Sequence, residues 1–380
     1  MSKIISRQFL KAVSLLISAM LAFSAFVFAP VTSSAATYNN KTDFMNGRYG
    51  IFLHYLSNSN MTDEQWEEKV KSFDSEVFAS AAETAGASWV TVTLTQADGR
   101  YCIPIDTIFA ESDIPGFGSG TVKAKGVAAE DDLVARLYTA LSAKGIKLML
   151  YWIPSAPSGN AELAAEMGAT EMVSGNWSIN ETVYTNMSAA MRTVSEYYGD
   201  KISGWWIDGC YDSVYFTETV ADGYKAALTG GNADAVVAFN NGAKADDCRF
   251  ECEDYTAGEI CHPDTLDITD IYDYSADSRW SPLGYQKHFL TFLGDNWGFP
   301  GTHYDTDALV KHCYDNILSK GAAISFDVAC SSSGTIDAAQ LAQLETLKEY
   351  SQNALFDMPL GFESGLNNIF GLEKIENNTV

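Results

Sequence analysis

The chain is 380 residues long and carries 24 basic against 49 acidic residues, a formal net charge of −25. So acidic a surface excludes nucleic acid as a partner and suits a neutral ligand, because fixed carboxylates repel polyanions. The seven cysteines (102, 210, 248, 252, 261, 313 and 330) are an odd number with no Cys-x-x-Cys pair and no histidines at zinc spacing, so no metal site is expected. Cys248, Cys252 and Cys261 lie close enough in sequence for one disulfide, and free thiols fit the pattern equally.

In chain order, Lys3, Arg7 and Lys11 precede an apolar run from Ala12 to Ala29 that ends at Ser34-Ala35-Ala36. That is the pattern of a secretory signal peptide over residues 1–36, so the mature protein is expected outside the cytoplasm and without a membrane span. Eight apolar runs then predict strands at 49–55, 89–95, 146–152, 204–208, 235–240, 250–255, 288–293 and 322–328. Between them, periodicity and caps predict helices at 74–85, 131–144, 181–198, 307–320 and 337–352, with Gly145, Gly199 and Gly321 as stops. Strands alternating with helices point to parallel βα units, and no glycine-rich phosphate loop follows the first strand. The Pro115–Gly120 segment follows no strand, opens no helix and reads as a loop. The fold class read from this order is a (β/α)8 TIM barrel over residues 37–355, with a short C-terminal tail at 356–380.

Polar residues gather at the C-terminal ends of the predicted strands: His54, Gln96 and Asp98, Trp152, Asp208, Asn240 and Asn241, Glu253, Asp254 and Glu259, Trp297 and Asp327. In such a barrel that rim carries the chemistry. Gly204-Trp-Trp-Ile-Asp-Gly209 is the most informative stretch, since an apolar strand delivers one carboxylate, Asp208, directly into a turn. The competing role for Asp208 is capping a helix that begins near Asp212. Period-two alternation puts Trp206 on the face of Asp208, as a pocket floor, and Trp205 on the opposite face against a helix. Clustered carboxylates and aromatics without a cofactor motif point to glycoside hydrolysis.

These residues resemble the α-L-fucosidases of glycoside hydrolase family 29 and, more closely, a fucosidase-like branch of barrel proteins. Arg48-Tyr-Gly-Ile-Phe-Leu-His54 resembles the first-strand segment of fucosidases, and Gly204–Gly209 the segment bearing their nucleophile. Thr95-Gln-Ala-Asp-Gly-Arg-Tyr-Cys102, Glu253-Asp-Tyr-Thr-Ala-Gly-Glu259 and Phe292-Leu-Gly-Asp-Asn-Trp-Gly298 resemble the branch. Where fucosidases carry two adjacent histidines that help hold fucose, this chain has Gln96 and Ala97, and it lacks their Trp-Glu proton-donor segment in the corresponding stretch. The resemblance implies a single catalytic domain, here without the C-terminal β-sandwich common in fucosidases.

The expected activity is retaining hydrolysis of a terminal α-linked sugar, with α-L-fucoside the leading substrate by resemblance. Asp208 is the nucleophile and Glu259 the acid/base, with Glu253 the second choice for that role. His54, Gln96, Tyr101, Trp206, Asn240, Asp254 and Trp297 are the expected sugar-binding residues, and no metal or organic cofactor is called for. The expected partner is an oligosaccharide or glycan substrate; the oligomeric state is left open. The alternatives are a retaining hydrolase of another α-glycoside, such as an α-galactoside, and a carbohydrate-binding barrel without turnover.

Overall fold

The computed structural model describes residues 40–58, 60–243, 249–260, 279–281 and 284–356. Seven parallel strands form its main sheet: β1 (Tyr49–Leu53), β2 (Trp89–Thr93), β3 (Lys147–Trp152), β6 (Gly204–Ile207), β7 (Val236–Phe239), β8 (His288–Phe292) and β9 (Ala323–Asp327). The order across the sheet is β7-β6-β3-β2-β1-β9-β8. A two-stranded antiparallel ribbon, β4 (Met172–Val173) with β5 (Asn176–Trp177), stands apart in the loop after β3. Strands β1, β2, β6, β7, β8 and β9 are buried at every position, which is why they read as unbroken apolar runs rather than alternating ones.

Helices return the chain between strands. They are α1 (Asp63–Lys71), α2 (Ser75–Thr84), α3 (Ile105–Ile108), α4 (Leu133–Ser142), α5 (Ala161–Glu166), α6 (Glu181–Tyr198), α7 (Glu218–Leu228), α8 (Thr306–Asn316) and α9 (Ala338–Phe356). Asp74 caps α2 by accepting from Glu76 and Val77 N–H, as its place before the periodic run predicts. The predicted 307–320 helix is shorter than expected. Its α-helical part stops at Asn316, and a separate 3-10 turn at Leu318–Lys320 ends on Gly321 in the left-handed region, φ 83°.

Two apolar layers flank the sheet. Leu150, Trp205, Ile207 and Phe326 face the helices, while Phe52, Met149, Tyr151, Trp206 and Leu290 make a smaller cluster on the other face. Phe52 on β1 lies 5.5 Å, ring centre to ring centre, from Trp206 on β6. Those strands are three places apart, about 14 Å in a flat sheet, so the sheet curls around this inner cluster.

The predicted strand at Phe250–Tyr255 is not one among the described residues. Residues 253–260 instead tie the two sheet edges with single bonds: Asp254 N–H donates to Val237 O (2.9 Å), Gln286 N–H to Asp254 O (3.2 Å) and Ile260 N–H to Leu290 O (2.9 Å). Side chains substitute for the missing ladder on the β7 side. Glu253 Oε1 accepts from Phe239 N–H (2.8 Å) and Asp254 Oδ2 from Val237 N–H (2.9 Å). Gly258 allows the close approach to β8, since a Cβ there would lie 1.9 Å from His288 O and its φ is +69°.

Candidate active site

Asp208 leaves β6 at its C-terminal end, and Gly209 (φ 79°) turns the chain so that the carboxylate faces the inner cluster rather than the helices. It caps no helix. The turn at Asp212–Val214 has no side-chain cap, and Asp208 accepts three other bonds: Tyr151 Oη to Oδ2 (2.8 Å), and Asn240 Nδ2 (2.9 Å) and Gly209 N–H (2.8 Å) to Oδ1. These three bonds fix the orientation of the carboxylate at the rim.

Asn240, at the end of β7 and 1% exposed, has a second role. The same Nδ2 donates to Glu259 Oε2 at 2.5 Å, so one amide group holds both carboxylates. The two acceptor oxygens are no farther apart than these two bonds laid end to end. That lies at or below the about 5–5.5 Å of retaining glycosidase pairs and short of the about 6.5 Å at which inverting pairs begin.

Tyr151 is the residue that the sequence reading passed over. Its ring stacks on Trp206, 5.6 Å apart and 18° from parallel, and its hydroxyl accepts from Gln96 Nε2 (3.2 Å) while donating to Asp208. Burial first and the Asp208 charge second push its phenol well above the ordinary value, so it stays a donor. The signal was available: Met149 and Tyr151 alternate on β3 as Gly204 and Trp206 do on β6, and the strand register sets Tyr151 beside Trp206.

His54, at the end of β1, bonds through Nδ1 to Asp327 Oδ1 at 2.7 Å. The other Asp327 oxygen accepts from Gly298 N–H at 2.5 Å, which fixes the loop carrying Trp297, and the Trp297 ring lies 5.4 Å from the imidazole. Burial draws the His54 pKa down, yet the carboxylate of Asp327 and the charges of Asp208 and Glu259 outweigh it and raise the group above the usual histidine value. Beside this cluster a cleft of about 210 Å³ runs from Asp208 along Gln96, Ala97, Ser155, Ser158 and Asn176.

The structure therefore brings together Asp208, Glu259, Asn240, Gln96, His54, Trp206 and Trp297. It does not bring the other three. Tyr101 is 2% exposed, with its ring against Trp152 and Phe117 on the helix side and its hydroxyl accepting from Trp152 Nε1 (3.3 Å). Glu253 binds Phe239 and Phe250 N–H through its two oxygens, and Asp254 holds Val237 N–H and the Lys225 ammonium (2.9 Å). Both acids stitch the β7 edge, because a buried carboxylate beside otherwise unpaired strand N–H groups satisfies them. Cys252 is a free thiol, whereas Cys248 and Cys261 lie outside the described residues. Glu218, Asp222 and Cys252 gather ligand-type atoms within 4.8 Å of one another at the surface, apart from this cluster.

A curled parallel sheet that presents two bridged carboxylates above stacked aromatics at its C-terminal rim is the arrangement that glycoside hydrolase chemistry uses. A family model described as Alpha-L-fucosidase matches residues 31–353, and the chain belongs to that family. No curated protein sequence matches it. Among solved structures, the endo-fucoidan hydrolase MfFcnA4 of glycoside hydrolase family 107 is similar with a TM-score of 0.62 at 15% identity, over 84% of this chain and 54% of that one. The chain thus spans about half the length of that protein. A second endo-fucoidan hydrolase of the same family has a TM-score of 0.59 at 15% identity, over 84% and 95% of the two chains. An α-L-fucosidase of glycoside hydrolase family 29 from Bacteroides thetaiotaomicron has a TM-score of 0.53 at 12% identity, over 82% and 73%.

Proposed function

We propose that this protein is a retaining α-glycosidase, with an α-L-fucoside as its leading substrate. The observation that carries the reading is the single Asn240 amide shared by Asp208 and Glu259, which holds one oxygen of each no farther apart than its two bonds laid end to end and so supports the close pairing that double displacement calls for. An oxygen of Asp208 attacks the anomeric carbon as the glycosidic C–O bond breaks and Glu259 gives its proton to the departing oxygen. Glu259, now a carboxylate, takes a proton from water, and the resulting oxygen displaces Asp208 from the anomeric carbon. Tyr151 steadies the attacking carboxylate, and His54, Gln96 and Trp297 bound the sugar. Residues 253–260, bonded to both sheet edges, take the place of the eighth strand in a (β/α)8 barrel, and residues 1–36 direct the protein out of the cytoplasm.

A second reading keeps this chemistry and changes the sugar. Gln96 and Ala97 stand where the resemblance to fucosidases calls for paired histidines, and both line the cleft beside Asp208. That favours a rival such as an α-galactoside. Release of 4-nitrophenol from 4-nitrophenyl α-L-fucoside, beside the α-galactoside and β-glycosides, separates the two. Turnover of the fucoside that vanishes in Asp208→Ala, with the α-anomer formed first by NMR, is the expected result. Inversion to the β-anomer overturns the mechanism, and binding without turnover of any glycoside points to a carbohydrate-binding barrel.

A further inference from the structure

Asp208 and Glu259 are carried by different parts of the fold. Asp208 follows β6 directly, whereas from residue 255 onward the segment that carries Glu259 bonds toward β8. Thr256 N–H donates to Gln286 O (3.0 Å), Leu290 N–H to Gly258 O (2.8 Å) and Ile260 N–H to Leu290 O (2.9 Å). On the other side, β7 pairs with β6, and its backbone bond to the segment, Asp254 N–H to Val237 O, falls well short of Glu259. Asn240 joins the two carboxyls only at their tips. The spacing of the two backbones beneath them therefore needs a further tie.

Two buried side chains supply it. Trp206 Nε1 donates to Ala257 O (3.0 Å), and Tyr255 Oη donates back to Trp205 O (2.9 Å). The bonds are reciprocal, each running from a side chain of one backbone to a carbonyl of the other, within the inner cluster that holds Trp206, Tyr255 and Ala257. Trp206 and Ala257 stand two residues before Asp208 and Glu259 respectively, so this joint sits just below the carboxylate pair. The Trp206 ring has little surface left for a ligand: it is 4% exposed, with Tyr151 stacked on it at 5.6 Å and Phe52 edge-on at 5.5 Å.

We propose that Trp206 is a positioning residue for the proton donor: through its indole N–H, with Tyr255 as the returning half of the joint, it sets the distance of Glu259 from Asp208. This rests on the glycosidase reading for what the two carboxyls do, and it makes the tryptophan a strut rather than a sugar platform. Misplacing a reacting group by about 1 Å costs about 10²-fold in rate, so losing one such bond reaches the chemistry without touching the substrate. The step it governs is the first, in which the glycosidic C–O bond breaks and the departing oxygen takes the Glu259 proton. A leaving group stable as its anion needs no such proton and is indifferent to the joint.

The test is the leaving-group dependence of kcat/KM in Trp206→Phe, which keeps an aromatic ring and removes the N–H. Phenyl α-L-fucoside, whose oxygen needs the proton to leave, is compared with 2-chloro-4-nitrophenyl α-L-fucoside, which leaves as the anion; the matching galactosides serve if that is the sugar turned over. The phenyl substrate is expected to lose at least tenfold more than the chloronitrophenyl one, with KM nearly unchanged for both. Tyr255→Phe should show the same bias at smaller size, and it decides alone if Trp206→Phe does not fold. Equal losses for the two substrates, which a sugar platform or a purely structural role would give, or no loss at all, overturn the positioning role and leave the glycosidase reading standing. If the wild type turns over no glycoside, that reading fails, and carbon NMR titration of the Glu259 carboxyl, assigned with Glu259→Gln, decides the joint separately. A midpoint that either variant lowers, as the two carboxyls move apart, supports it, and an unmoved or raised midpoint sinks it.

Discussion

At the scale of single residues, the site depends on side chains whose work is done on other side chains. Asn240 was read from sequence as a sugar ligand, because an amide at a strand end faces the rim. The fold gives both of its Nδ2 hydrogens to carboxylates instead. Asn240→Asp keeps the shape and replaces this donor with a third carboxylate between two others. Like charges this close disfavour full ionisation. Fucoside kcat/KM is expected to fall by about 10²-fold or more, with the acid limb of its pH profile displaced upward. A drop with an unmoved profile would show that Asn240 serves only packing.

His54 gives a pH prediction whose sign is fixed by its partner. Its folded-state pKa is raised, so the stability it contributes is full below the unfolded value of about 6.5 and is lost as pH climbs through the folded value. His288 acts in the opposite sense. Buried among Thr256 and Ser325, its pKa is lowered to about 4, so stability drains away as pH falls from about 6.5 toward that value. The wild-type melting curve mixes the two, and the difference between wild type and His54→Gln isolates the first. Thermal melts from about pH 5 to pH 9 should show that gap widest in acid and closing in alkali. A gap that widens with pH would mean that His54 is held neutral.

At the scale of elements, the strand expected between β7 and β8 marks the limit of pattern reading. The apolar runs of β1, β2, β3, β6 and β9 were legible because each is buried on both faces, and a run of Val, Ile, Leu and Trp has few other homes. Phe250–Tyr255 was read the same way, although Glu253 and Asp254 sit inside it. Two adjacent acids cannot both be buried in a regular strand without donors. Here the donors are the N–H groups of β7, which the carboxylates claim in place of a backbone ladder. Glu253→Ala leaves the buried Phe239 and Phe250 N–H groups without their acceptors, at about 1–3 kcal/mol each. Urea unfolding should show a loss of about 2–5 kcal/mol, and Glu253→Gln, which keeps one acceptor oxygen, about half of that. Below its melting range Glu253→Gln should still turn over substrate, whereas Glu259→Gln should not. The reverse pattern would return Glu253 to the proton-donor role.

At the scale of the whole molecule, long-range pairing is what sequence could not show. Asp327 and His54 meet across the β1–β9 pairing, and Gly298 joins them from the loop after β8, a convergence that no spacing in the chain announces. Net charge is legible from composition, and it acts over the molecule as a whole. A formal −25 raises a negative potential that extends about 30 Å at 0.01 M salt and about 8 Å at 0.15 M. Two cations of the rim loops do little to oppose it, since Arg100 is engaged by Asp63 and Asp98, and Arg249 by Asp212. A neutral aryl fucoside feels no such field, so its kcat/KM should stay flat between these salt concentrations. Any turnover of a sulfated fucoside should instead rise with salt, as screening weakens repulsion by the carboxylate-rich surface and by Asp208. A sulfated substrate whose turnover fell with added salt would mean that a cationic patch steers it in, and the neutral-substrate assignment would then have to be abandoned.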